Sequence, residues 1–153
     1  MALLLVQHGK SLAKEIDPEQ GLSDEGRAET MKIAAAARDH GVRIARIVQS
    51  GKKRAVQTAE IFASALQPED GVRKGEGLNP LDDVAAFAKK IALSEDLMLV
   101  GHLPFMERLA SLLITGAADK PVIRFQNSGI VCLDKDADAD HWTIRWTLFP
   151  RIG

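Results

Sequence analysis

The sequence has little cysteine, little net charge and no long apolar run, and each shortage excludes a class of protein. Cys132 is the only cysteine among 153 residues, so an intrachain disulfide is impossible. A net charge of −1 gives no overall attraction to nucleic acid or to an anionic membrane. No apolar run approaches the roughly 20 residues that would span a bilayer. The apolar start, residues 1–6, lacks a basic segment and stops at Gln7, so we expect a soluble cytoplasmic protein without a signal peptide.

The apolar residues that are present suffice for one compact core. They make up 46% of the chain, which at this length needs neither a disulfide nor a metal to hold it together. Cys132 lies among Ile130, Val131 and Leu133, which predicts a core position rather than a reactive thiol. We therefore expect a single domain over residues 1–153.

Buried strands and amphipathic helices alternate along the sequence. Apolar runs predict strands over 3–6, 44–48, 72–73 and 97–100. Helical periodicity predicts one helix from Ser23 to His40 and others over 53–66, 81–93 and from Pro104 to Ile114. Residues 130–133 and 142–148 read as antiparallel strands. This order predicts an α/β fold: a mostly parallel central sheet, helices on both faces and an antiparallel C-terminal edge.

Polar residues follow the predicted parallel strands at their carboxyl ends. Segments 7–9, 50–54, 78–83 and 101–104 each occupy such a position. Because these strand ends share one edge of the sheet, the four segments are expected to converge on one rim, where ligands bind in open α/β sheets. His8 and His102 lie there, each beside a glycine that lets the backbone approach a ligand. His40 and His141 lack this setting and are expected in surface or capping positions.

Two kinds of ligand suit paired histidines. A metal is the weaker candidate, because the sequence shows neither close ligand pairs nor cysteine-rich spacing. A phosphate is favoured by Arg54, whose planar donor fork matches phosphate oxygens, at the start of a helix. Lys52 and Lys53 stand beside Arg54, and one of these two lysines is expected to be an ordinary solvated charge.

Four segments carry a resemblance to a known family. Residues 4–9 (LLVQHG) are similar to its Arg-His-Gly signature, 22–26 (LSDEG) to its Leu-Thr-x-x-Gly segment, 50–59 (SGKKRAVQTA) to its Ser-x-x-x-Arg-Ala-x-x-Thr-Ala, and 100–104 (VGHLP) to its second-histidine segment. The sequence thus resembles the histidine phosphatase superfamily, which is phosphoglycerate mutase-like in fold. With no room for a cap insertion in residues 1–153, it looks like the minimal SixA-type phosphohistidine phosphatases.

The resemblance implies an activity and a set of site residues. His8 is the expected nucleophile, His102 the second histidine of the phosphate pocket, and Arg54 the clamp on the phosphoryl oxygens, with the Leu103 amide as a further donor. The implied enzyme is a metal-independent phosphatase without a cofactor that acts on phosphohistidine in proteins, as in signal transduction. A small-molecule phosphomonoesterase, or a phosphate- or phosphohistidine-binding module, remains an alternative.

The sequence departs from the family at two points. Gln7 stands where the family has an arginine, and it can bind phosphate only through an uncharged amide. Lys52 is the preferred source of the missing charge and Lys10 the alternative. The general acid stays open among Glu76, Asp82, Asp83 and none, with a helix cap as the ordinary interpretation of Asp82 and solvation as that of Glu76.

Overall fold

The computed structural model describes residues 1–91 and 95–152, and helices alternate with strands along most of this length. None of the helices in these ranges is long and apolar enough to cross a membrane. The elements in chain order are β1 (Ala2–Gln7), α1 (Asp24–Asp39), β2 (Arg46–Gln49), α2 (Lys53–Leu66), β3 (Val72–Lys74), α3 (Val84–Ala88), β4 (Leu97–Gly101), α4 (Phe105–Thr115), β5 (Ile130–Asp134) and β6 (Thr143–Leu148).

The strands of the described part form one mixed sheet in the order β3-β2-β4-β1-β5-β6. Neighbours among β3, β2, β4 and β1 run parallel, whereas β5 is antiparallel to β1 and β6 is antiparallel to β5. The predicted parallel core with an antiparallel C-terminal edge is therefore confirmed. The two strands that end before His8 and His102 are direct neighbours at the centre of the sheet, paired Gln7 to Gly101.

Each face of the sheet has its own apolar core. Successive residues of a strand point to opposite faces, so Leu3 and Leu5 pack against α3 and α4, while Leu4 and Val6 pack against α1 and α2. This double burial explains why the sequence of β1 is continuously apolar. Cys132 is 1% exposed, and burial raises the pKa of its thiol to about 11, which confirms the predicted core cysteine.

The helix predicted over 81–93 is the element that differs most from expectation. The structure has only Val84–Ala88, and positions 92 and 93 lie outside the described residues. The helix begins at Asp83, whose carboxylate accepts from the amides of Ala85 (2.9 Å) and Ala86 (3.3 Å). The suggested cap at Asp82 is therefore wrong: Asp82 instead accepts from the Asn79 amide at 2.9 Å, within the preceding turn. The bounds predicted for α2 are confirmed.

Candidate active site

The backbone of His8 is held between two neighbouring segments at the carboxyl end of β1. The His8 amide donates to the Gly101 carbonyl (2.9 Å), and the Asn127 side-chain amide donates to the His8 carbonyl (2.9 Å). Gly9 follows in a confined position, where an added Cβ would lie 2.7 Å from Thr30 Oγ1. The Gly9 amide donates to Thr58 Oγ1 on α2 (3.0 Å). The polypeptide can turn away from His8 at this point because residue 9 has no side chain.

The lone pair on Nε2 of the His8 imidazole faces Arg54. Its Nδ1 lies 2.7 Å from the Gly9 carbonyl, which can only accept, so Nδ1 carries the proton and Nε2 does not. Arg54 Nε donates to Nε2 at 3.3 Å. Burial lowers the pKa of His8 to about 4; the Gly9 hydrogen bond opposes that shift and the charge of Arg54 adds to it. His8 is therefore neutral at physiological pH, and its unprotonated Nε2 accepts from Arg54.

His102 lies beside His8 because β1 and β4 are adjacent strands. The two rings have centroids 5.0 Å apart and an interplanar angle of 52°. His102 Nε2 lies 2.6 Å from Ser50 Oγ, and within residues 1–91 and 95–152 its buried Nδ1 has no hydrogen-bond partner. Burial, followed by the charges of His8, Arg54 and Lys52, lowers the pKa of His102 to about 3. Both imidazoles of the pair are thus held neutral.

The cations near the pair differ in how they are compensated. Lys53 pairs with Asp17 (2.9 Å) and is the ordinary surface lysine of the two candidates. Lys10 pairs with Glu25 of α1 (2.6 Å), so the charge of Lys10 is compensated by that helix. In the described ranges no carboxylate oxygen lies within 4.0 Å of the Lys52 ammonium or the Arg54 guanidinium. Of the two lysines predicted to offset the uncharged Gln7, Lys10 is thus compensated by a carboxylate and Lys52, among the described residues, is not.

Gln7 and Leu103 are the two remaining predicted ligands of phosphate. Gln7 ends β1, and its Oε1 is buried without a hydrogen-bond partner among the described residues. Its side-chain amide supplies no charge. The Leu103 amide, just before α4, likewise makes no hydrogen bond within the part of the chain that the structure describes, so its proton is available to a ligand. Both groups lie on the strand ends that carry His8 and His102.

The three candidate acids do not contact the ring nitrogens of the histidine pair. Asp82 and Asp83 accept hydrogen bonds from backbone amides around α3, and Glu76 is exposed in the loop after β3. No carboxylate of the described residues lies within 4.0 Å of a ring nitrogen of His8 or His102. Within the described residues the candidate site thus consists of hydrogen-bond donors and neutral bases, without an adjacent carboxylic acid.

The remaining histidines are far from this chemistry, as predicted. His40 ends α1, where its Nδ1 lies 2.8 Å from the Ala36 carbonyl, and His141 is exposed. Across residues 1–91 and 95–152 no three His, Cys, Asp or Glu side chains cluster as a set of metal ligands.

Three residues that support His8 and His102 were not predicted from the sequence. Ser50 contacts His102 directly, Thr58 holds the Gly9 amide, and Asn127 holds the His8 carbonyl. Ser50 and Thr58 belong to the segment 50–59 that contains Arg54, so that motif held a signal for them. Asn127 lies 119 residues after His8, and nothing local in its sequence distinguishes it.

Comparison with known proteins assigns the chain to a family. It belongs to the histidine phosphatase superfamily, whose branch 1 model matches residues 3–82, a range that includes His8 and Arg54. No curated protein matches the sequence significantly.

Solved structures of similar proteins cover nearly the whole chain. The protein histidine phosphatase SixA complexed with tungstate is 23% identical, with a TM-score of 0.82 over 98% of this chain and 97% of that chain. A protein of Agrobacterium tumefaciens provisionally assigned as the phosphohistidine phosphatase SixA is 25% identical, with a TM-score of 0.76 over 96% of each. A mycobacterial glucosyl-3-phosphoglycerate phosphatase is 16% identical, with a TM-score of 0.74 over 95% of this chain and 97% of that chain. These similarities show that the chain has the fold of the histidine phosphatases. SixA proteins are among its structural neighbours.

Proposed function

We propose that the protein is a metal-independent phosphatase that removes the phosphoryl group from phosphohistidine in proteins, with His8 as the transient acceptor. The observation that carries the proposal is the state of His8. Its Nδ1 proton is held by the Gly9 carbonyl, and the lone pair of Nε2 faces Arg54. A neutral imidazole fixed in this tautomer needs no general base before it attacks phosphorus.

In the first step the bond from phosphorus to the substrate nitrogen breaks as a bond from phosphorus to His8 Nε2 forms. Arg54 leaves Nε2 and pairs with the phosphoryl oxygens, where its fork stabilises the spread negative charge. The imidazolium that forms on His8 keeps its Nδ1 proton on the Gly9 carbonyl. The substrate imidazole, protonated on its other nitrogen, leaves as a neutral ring.

In the second step water attacks phosphorus and the bond to His8 Nε2 breaks. The electron pair returns to Nε2, so His8 regains the neutral tautomer in which it began. The proton lost by the water goes to the phosphate product or to solvent. His102 and the Leu103 amide supply further hydrogen bonds to the oxygens, and Lys52 supplies charge where Gln7 has none.

No acid of the described residues lies close to the pair, and this supports a phosphoramidate substrate. An alkoxide leaving group must take up a proton as it departs, whereas an imidazole that already carries one proton leaves without further help. Asp82 and Asp83 are held by backbone amides around α3 and do not serve as such an acid. In the described residues no inserted domain follows the strands that carry the site, which supports a rim open to a protein surface.

A second candidate is a small-molecule phosphomonoesterase that uses the same residues. It is favoured by the fold likeness to the mycobacterial glucosyl-3-phosphoglycerate phosphatase. Phosphate release from a phosphohistidine protein and from a panel of phosphate esters, both with EDTA present, separates the two candidates. Activity that required an added metal would contradict the metal-free mechanism.

Trapping the intermediate tests the role of His8. Rapid acid-free quenching of a reaction with a labelled phosphohistidine protein should yield an alkali-stable phosphoryl group on the peptide that contains His8. His8→Ala should show neither label nor turnover, whereas His40→Ala, at an exposed histidine, should show both. Turnover of His8→Ala at the native rate, or label on the peptide of His102, would refute the assignment of the nucleophile.

A further inference from the structure

A recess beside the proposed phosphoryl site concentrates positive charge. It has a volume of about 510 Å³, and four of its lining residues are cations: Lys14, Lys52, Lys53 and Arg54. Glu19 is the acidic residue of the lining. Since the whole chain has a net charge of −1, this concentration is local. A cleft lined mainly by one sign of charge attracts ligands of the other sign.

The acidic charge at the recess is already engaged. Lys53 Nζ lies 2.9 Å from Asp17 and 3.7 Å from Glu19, so these groups compensate one another. Lys14, Lys52 and Arg54 have no carboxylate oxygen within 4.0 Å in the ranges that the structure describes. Arg54 and Lys52 serve the phosphoryl group in the proposed mechanism, so Lys14 is the cation of the described lining that is left for a further anion.

Among the described residues, Lys74 adds a second uncompensated cation, at the outer edge of the recess. It ends β3, is exposed, and its side chain lies against Gly51, where an added Cβ would be 2.6 Å from Lys74 Cε. Gly51 has a φ of +94°, a backbone conformation that also favours glycine. The absence of a side chain at this position leaves room for the Lys74 stem along the rim. Within residues 1–91 and 95–152, Lys74 also has no ion pair.

The recess is continuous with the reactive pair through Arg54. Arg54, which lines the recess, reaches His8 Nε2 with its Nε at 3.3 Å. A phosphoryl group on His8 would therefore stand beside the recess, and neighbouring groups of the substrate would meet its lysines.

We propose that this recess is a second anion site, which binds acidic groups that flank the phosphoryl group of the substrate. The proposal rests on the proposed phosphatase activity for the identity of the substrate. Its chemistry fits the Asp and Glu side chains of a protein segment or the second anionic group of a small phosphate ester. Attraction of this kind acts over the screening length of the solution and weakens as salt is added.

The first experiment compares two phosphohistidine peptides that differ only in their flanking residues, Glu in one and Gln in the other. Wild-type enzyme should give a higher kcat/KM with the Glu peptide at low salt. In the double variant Lys14→Ala/Lys74→Ala, the kcat/KM for the Glu peptide divided by that for the Gln peptide should be about fivefold lower than in wild type. This is the effect expected from the loss of one to two exposed ion pairs. Lys120→Ala, on the exposed segment after α4, should keep the wild-type ratio.

A parallel arm identifies the source of the anionic group. An alkane monophosphate is compared with the corresponding bisphosphate in the same variants. Dependence on Lys14 and Lys74 with the Glu peptide supports a protein segment, and dependence with the bisphosphate supports a small ester. If the double variant keeps the wild-type ratio in both arms, the anion site is refuted.

A binding measurement separates this proposal from the proposed function. Fluorescence anisotropy of a labelled Glu-rich peptide without phosphate requires no turnover. Binding that weakens about fivefold in the double variant supports the recess even if no phosphohistidine substrate is hydrolysed. Binding that is equal in wild type and double variant, at equal thermal stability, overturns the proposal while leaving the activity intact.

Discussion

The neutral histidine pair should make the protein less stable as the pH falls from neutrality. Burial lowers the pKa of His8 from 6.5 to about 4 and that of His102 from 6.5 to about 3. In the unfolded chain both rings take up a proton near the ordinary value, whereas in the folded protein they remain neutral. Between about pH 6.5 and about pH 4 the unfolded state therefore binds more protons than the folded state. The free energy of unfolding consequently decreases as the pH is lowered through this range.

The size of the effect follows from the two shifts. When the pH is lowered from about 7 to about 5, each histidine whose folded pKa is this low reduces the free energy of unfolding of the protein by about 2 kcal/mol. Because both rings stay neutral in the folded protein over this range, the two contributions add. We therefore expect a combined loss of about 4 kcal/mol, a large share of the roughly 5–15 kcal/mol typical of a domain.

Urea unfolding at the two pH values measures this loss directly. Wild-type protein should show the fall of about 4 kcal/mol, and His8→Gln/His102→Gln should show much less of it, since neither substituted side chain titrates. The comparison uses the difference between pH values, so a change in absolute stability of the variant does not affect it. His40→Gln should retain the full fall. An equal fall in wild type and double variant would refute the claim that the pair is held neutral by burial.

Two further predictions concern the phosphate ligands. Arg54→Ala should lower kcat/KM by about 10- to 100-fold, the worth of a charge-assisted hydrogen bond, with little change in the urea midpoint; near-normal turnover would remove Arg54 from the site. Lys52→Ala should reduce kcat/KM in the native background and reduce it less after Gln7→Arg, because both groups would serve one phosphate; equal losses in the two backgrounds would identify Lys52 as an ordinary surface lysine.

Local patterns in the sequence determined the elements that place the site. Continuous burial of β1 required an apolar run, and amphipathic periodicity gave α2 its bounds. Once parallel strands alternate with helices, the carboxyl ends must share an edge, so the convergence of His8, Arg54 and His102 could be expected from order alone. The helix α3 was less predictable, since its start depends on which of two neighbouring aspartates caps it.

The tertiary structure alone decided the partners of each functional group. Asn127 reaches the His8 carbonyl from 119 residues away, and the loop containing Asp17 selects Lys53 rather than Lys52 as its ion pair. The tautomer of His8 likewise depends on how its ring turns toward the Gly9 carbonyl. Sequence periodicity reports which face of an element is buried, but pairings between distant side chains arise only when the chain is folded, because they depend on loop paths and on the packing of separate elements.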